Sequence, residues 1–184
     1  FRVDATPCVK FGDSNVIAVR ADTRRHGTRW YPGAGIYRKV TMTVCDPVHI
    51  AHWGTFVTTP AVSASSATVR VLSTIENHLD ADSVVSAEVT IRDPRGRRVA
   101  TEKPKVTVKA GDSREVEFLF AVPNPRRWDI DDPKLYTVET AIRADDGSKD
   151  SSAVPFGIRT FQFTANDGFH LNGRRVQLYG VNLH

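Results

Sequence analysis

The sequence predicts an all-β protein built around an antiparallel sandwich. Three observations predict it. Apolar residues alternate with period two in one segment after another. Turn-forming residues punctuate the chain at the spacing of about eight to twelve positions expected of short sandwich strands. No window of about eleven or more residues keeps the i, i+3, i+4, i+7 apolar pattern of an amphipathic helix.

Residues 1–9 and 15–21 read as strands, with Gly12-Asp13-Ser14 as the turn between them. A polar loop follows. Arg29-Trp30-Tyr31-Pro32-Gly33-Ala34-Gly35-Ile36-Tyr37-Arg38 is unlike its surroundings and leads into a strand over residues 39–44. Its glycines imply positive φ or close backbone approach. These few strands are too little to bury a core of their own.

Residues 56–163 read as a self-sufficient block. Strands are expected at 68–77, 83–92, 98–101, 105–109, 114–122, 135–144 and 152–163. Val85, Ala87, Val89 and Ile91 share one face of the second of these, while Ser86, Glu88, Thr90 and Arg92 share the other. Val116, Phe118 and Phe120 face inward later, as do Tyr136, Val138, Thr140 and Ile142. Asp93-Pro94-Arg95-Gly96 has the composition of a β-turn. Seven or so short strands in this span fit an immunoglobulin-like sandwich, without the Cys…Trp…Cys framework of antibody domains. A hairpin then turns at Asn172-Gly173, the dipeptide suited to a type I′ turn, and an apolar run ends at Asn182-Leu183-His184.

Composition excludes several functions. Net charge is +4 and the pI about 9.3, with Arg95-Gly96-Arg97-Arg98, Arg126-Arg127 and Arg174-Arg175 near acidic residues. That pattern reads as solvated loop charge, so nucleic acid is not an expected partner. No apolar run approaches the roughly eighteen residues of a transmembrane helix. The chain begins without Met and without an apolar leader, and reads as cut from a longer protein. Cys8 and Cys45 border apolar runs and are expected as buried thiols, with a disulfide as the alternative. His49 and His52 are spaced to share a metal, but no third ligand is near in sequence, so neither metal nor cofactor is expected. The aspartates at 80/82, 129/131/132 and 145/146 fall in loops, where turn formation is the default role. No catalytic residue is assigned anywhere in the chain.

Three motifs in order resemble the family-2 glycoside hydrolases, which include β-galactosidases, β-glucuronidases and β-mannosidases. The 29–38 stretch resembles the segment closing the family's N-terminal jelly-roll. Trp128 followed by Asp132-Pro133-Lys134-Leu135-Tyr136 resembles a segment of its immunoglobulin-like domain. Phe156-Gly157-Ile158-Arg159-Thr160, Phe169-His170-Leu171-Asn172-Gly173-Arg174 and Gly180-Val181-Asn182-Leu183-His184 resemble the entry into its (β/α)8 barrel.

The resemblance implies three regions: the tail of a jelly-roll (1–55), an immunoglobulin-like sandwich (56–163) and the first hairpin and strand of the barrel (164–184). It implies a non-catalytic accessory region of a retaining β-glycosidase, best matched to a β-galactosidase, whose two catalytic glutamates lie on later barrel strands outside this chain. Its partners would be the rest of the polypeptide and, for the whole protein, a β-glycoside. His184 matches a histidine that lines the sugar pocket, so it is the candidate substrate-binding residue. Trp128 is expected to pack against a loop or another domain. The competing reading is a stand-alone immunoglobulin-like module that binds glycans or proteins.

Overall fold

Alternation of β-branched and polar residues needs partners on both edges before it becomes a sheet, and strand Ser83–Arg92 has them. In the computed structural model, which describes residues 2–22 and 35–182, Val85, Ala87, Val89 and Ile91 of this strand are all buried. The chain divides into two units, one of residues 43–179 and one of residues 1–42 with 180–184.

The larger unit contains every strand among the described residues. In chain order these are β1 (Val48–Val62), β2 (Ser66–Asn77), β3 (Ser83–Arg92), β4 (Arg98–Glu102), β5 (Lys105–Val108), β6 (Ser113–Pro123), β7 (Tyr136–Ala144), β8 (Lys149–Phe156), β9 (Phe161–Thr164), β10 (Gly168–Leu171) and β11 (Arg174–Arg175). One three-stranded sheet runs β1-β2-β6; a five-stranded sheet runs β4-β3-β7-β8 with β5 also on β3; a small third sheet runs β11-β10-β9. All pairs are antiparallel. The first two sheets form the immunoglobulin-like sandwich.

The core lies between those two sheets in two clusters. Val69 and Val71 of β2, Phe118 and Phe120 of β6, Val89 and Ile91 of β3, and Tyr136 and Val138 of β7 form the larger. Val48, Ile50, Ile75, Val85, Ala87, Val108 and Ile142 form the smaller. Phe118 is 2% exposed and its ring lies 6.3 Å from that of Phe120. The Tyr136 hydroxyl accepts a hydrogen bond from the Arg126 amide at 2.9 Å, which gives a buried phenol its polar partner and pins the loop before β7.

Polar groups also tie β1 to β8 across the two sheets. The Asp150 carboxylate accepts from the Ile50 amide at 2.9 Å, and Thr55 and Ser152 hydroxyls lie 3.2 Å apart. The Asp46 carboxylate accepts from the Lys149 amide at 2.8 Å.

Four expectations change. Strand β1 was not anticipated, and it straddles residue 55, where the sequence reading divides the chain. Register shifts between Ile50 and Thr55 and between Thr58 and Ala61 break its alternation, and Trp53 has φ 56°. Such bulges erase the period-two signal while leaving the ladder intact. Next, the single strand expected at 152–163 is two, β8 and β9, separated around Gly157 and Ile158.

The strands expected at 1–9, 15–21 and 39–44 are not formed by the described residues, which hold only a 3₁₀ turn at Thr6–Cys8. Val3, Val16 and Ile17 are exposed, and the Asn15 side chain both accepts from the Lys10 amide and donates to its carbonyl at 2.9 Å. Local side-chain bonds of this kind occupy backbone groups that a ladder would use. Lastly, Cys8 and Cys45 are exposed rather than buried. The 23–34 segment, with Trp30 and Tyr31, lies outside the described residues.

Truncating Phe118 to Ala should cost about 3–5 kcal/mol, because it removes a ring at the centre of the larger cluster and leaves a cavity. Urea unfolding of the chain measures it; a loss under about 1 kcal/mol would mean the sandwich core is not organised around this ring.

Candidate functional site

Three segments far apart in sequence converge on Trp128, and all lie in the larger unit. The first is the loop after β6. Its Trp128 amide donates to the Ile158 carbonyl at 2.8 Å. The second is the Gly157–Thr160 break between β8 and β9. A Cβ on Gly157 would stand 2.8 Å from the Trp128 Cβ, so glycine is needed there for space, not for backbone conformation. The Arg159 guanidinium sits over the indole at 4.8 Å from the ring centroid, within cation–π range.

The third segment is the β10–β11 turn. Asn172 and Gly173 have φ of 52° and 80°, the left-handed pair of a type I′ turn. That conformation aims the Asn172 side chain back at the sandwich. Its Nδ2 donates to the Trp128 carbonyl at 2.9 Å and to Asp129 Oδ2 at 3.3 Å. Its Oδ1 accepts from the Thr160 amide at 3.1 Å, and its own amide donates to the Thr160 carbonyl at 2.9 Å. Arg174 adds ion pairs to Asp129 at 2.9 Å and to Asp131 at 3.6 Å. The arrangement is a clasp that holds the hairpin to the sandwich.

Electrostatics fit a clasp better than an acid catalyst. The hydrogen bond from Asn172, with the Ile130 amide and Arg174, holds the Asp129 carboxyl below its usual range despite partial desolvation. The hydrogen bond from Lys109 lowers Asp82, and that from Ser83 lowers Asp145. Desolvation raises Asp93, but its hydrogen bonds to the Arg97 side chain and amide outweigh it and lower the carboxyl overall. A general acid for glycoside cleavage needs a raised carboxyl pKa. These four aspartates instead stay ionised to fasten loops and turns.

His184, the candidate substrate-binding residue, lies outside the described residues. Trp128 does pack against a neighbouring loop, as expected. Asn172 was legible only as a turn former; its side-chain role was not. His49 and His52 do not come together as a pair. His52 stacks on Trp53 with ring centroids 5.2 Å apart, while His49 turns inward toward Glu76 and His78.

Comparison with known proteins now places this sandwich. The family model for glycosyl hydrolases family 2 matches residues 48–159, beginning at the first residue of β1. The chain belongs to that family. A β-galactosidase of Bacteroides ovatus, BoGH2A, is 38% identical over all of this chain, which covers 22% of that protein. A β-glucuronidase of Formosa agariphila is 30% identical over 98% of this chain and 20% of its own length. Among solved structures, a family-2 member from Bacteroides cellulosilyticus aligns with a TM-score of 0.69 at 37% identity, covering 74% of this chain and 19% of that one. The chain thus spans about a fifth of the length of these relatives.

Replacing Gly157 with Ala should destabilise the clasp by about 1–3 kcal/mol, the range for forcing a methyl into packed space. Urea unfolding reads the loss, and Gly157→Ala combined with Trp128→Gly, which removes the opposing Cβ, should cost less than the sum of the two single changes. An unchanged midpoint for the single variant would show that the Trp128 loop yields freely.

The Asp129 bonds carry a definite pH dependence. Its folded pKa is lowered, so its contribution is present above the ordinary carboxyl value and is lost as pH falls through the lower folded value, that is below about 4. Amide-exchange protection at Thr160 and Asn172 should fall in that window. Asp129→Asn should flatten the response; an identical pH profile in the variant would remove Asp129 as the cause.

Proposed function

We propose that this chain is the non-catalytic accessory region of a retaining β-glycosidase, and that the whole protein hydrolyses the O-glycosyl bond of β-galactosides. The clasp at Trp128 and Asn172 carries this reading. It fixes the hairpin β10–β11 against an immunoglobulin-like sandwich, and so sets the direction in which the chain leaves toward residue 180. A spacer whose task is to aim a following domain needs such a rigid exit.

In this reading the residues before β1 belong to a jelly-roll, and the stretch that ends at His184 opens the catalytic barrel. Barrel active sites form at the C-terminal ends of the strands, which is where His184 would stand and where it would line the sugar pocket. The two catalytic carboxyls of a retaining enzyme stand about 5–5.5 Å apart and would come from later strands. The galactoside preference rests on the Bacteroides ovatus relative; the Formosa agariphila relative makes glucuronides the first alternative substrate.

One observation favours a second reading, a glycan-binding module. Trp53 is 90% exposed and backed by His52, a flat aromatic surface of the kind that stacks on sugars.

The deciding experiment compares the chain with the full-length protein on aryl β-galactosides, with aryl β-glucuronides and β-mannosides alongside. The full-length protein should cleave the galactoside and the chain alone should cleave none. Activity in the isolated chain, or a full-length protein inert toward all three, overturns the proposal. Binding of the chain to a glycan panel that is lost in Trp53→Ala would favour the second reading instead.

A further inference from the structure

His49, Glu76 and His78 bring two imidazole nitrogens and one carboxylate oxygen within 4.8 Å of one another, the one such cluster among the described residues. Local structure puts them there. His49 on β1 and Glu76 on β2 are direct cross-strand partners, and His78 follows the end of β2. The His78 amide donates to the Pro47 carbonyl at 3.0 Å, which closes this end of the ladder. The two imidazole rings stack with centroids 5.2 Å apart and planes 7° from parallel.

The protonation pattern is the informative part. His49 Nδ1 lies 2.9 Å from the Asp46 carbonyl, and a carbonyl only accepts, so Nδ1 carries the proton. In the neutral ring Nε2 then presents a lone pair. Nε2 is buried, its side chain only 8% exposed, and it has no hydrogen-bond partner. It nevertheless lies 3.3 Å from Glu76 Oε2. His78 Nε2 lies 3.2 Å from the same oxygen.

The His49 Nε2 lone pair therefore faces the Glu76 carboxylate, while His78 Nε2 donates a hydrogen bond to that carboxylate and gives up its proton when it ligates an ion. A bare proton on His49 Nε2 answers this poorly, since the contact with Glu76 lacks hydrogen-bond geometry. A buried polar atom with no partner calls for an explanation, and an ion is one.

We propose that His49, Glu76 and His78 bind a divalent transition-metal ion of the zinc class. Imidazole and carboxylate are the donors such an ion takes, at about 2.0–2.2 Å. Ligands at that radius in a tetrahedron stand about 3.3–3.5 Å apart, close to the 3.3 Å and 3.2 Å edges from Glu76 to the two rings. The remaining edge, between the histidines, lies within 4.8 Å. His78 is the ring that adjusts, because its side chain is 62% exposed whereas His49 is held by Asp46.

The Asp46 carbonyl also serves as the outer partner that orients a metal-bound imidazole and fixes its tautomer. The fourth position falls to water. The ion would clip the start of β1 to the end of β2. Neither the clip nor its test depends on what the whole protein cleaves.

Zinc chloride titrated by calorimetry into tag-free chain, stripped with chelator, tests this. A Cys8→Ser/Cys45→Ser background removes the exposed thiols as competing ligands. One ion should bind per chain with a micromolar or tighter Kd, and the thermal midpoint should rise at saturation. His78→Ala, at an exposed position, and Glu76→Gln, which keeps its shape, should each weaken binding at least about tenfold. His52→Ala should change nothing. Cobalt(II) in place of zinc should give visible d–d bands that vanish in both ligand variants. No binding, or binding equally tight in His78→Ala and Glu76→Gln, overturns the proposal and leaves Glu76 as a simple ionic bridge between two rings.

Discussion

The amide side chain of Asn172 is the interaction on which the C-terminal part of this structure depends. Both polar ends of that amide are used, Oδ1 by Thr160 and Nδ2 by Trp128 and Asp129. Few other side chains serve. Asp lacks the donors, Gly lacks the side chain, and most larger residues resist the left-handed backbone that the turn requires. Turn and clasp are therefore one requirement: the conformation that reverses the chain is also the one that points the amide at the sandwich. Gly157 and Trp128 form the other half, where a missing Cβ lets an indole lie against the backbone. A small third sheet of three short strands becomes part of a larger unit through these few atoms.

The sandwich itself rests on area rather than on single contacts. Its core joins the faces of β2 and β6 to those of β3 and β7. Charged groups are arranged around that core, not in it. Arg70 pairs with Glu117, Arg92 with Glu139 at 2.7 Å and Arg97 with Asp93 at 2.7 Å. Exposed pairs of this kind contribute at most about 1 kcal/mol each, so their value lies in register and solubility more than in stability. Within the basic clusters of the sequence, Arg97, Arg174 and Arg175 each pair with an aspartate. At one end of the sandwich the polar groups are different in kind. His49 and Asp150 make part-buried hydrogen bonds, where a lost partner costs more.

Period-two alternation determined much of this protein before any contact was considered. Strand β3 has the very bounds the sequence suggests, and β6 and β7 lie within a residue of theirs, because long regular ladders leave an unbroken pattern. The Asn172-Gly173 turn was equally legible, since few dipeptides tolerate two positive φ values. The motifs at Trp128, Phe156–Thr160 and Phe169–Arg174 were visible as words in order, enough to mark the family. Strand β1 was not visible, because two register shifts scramble its alternation and its burial is decided by β2 beside it.

Tertiary structure alone decided which distant residues meet. Nothing local in Asn172 says that its amide reaches Trp128, and nothing in His49 says that Glu76 and His78, not His52, stand beside it. Periodicity reports which face a residue takes within its own strand. It carries no information about which other strand lies opposite, or where a loop folds back. Those choices depend on how the two sheets share a core and on where bulges turn a side chain inward, so they exist only once the whole unit has packed.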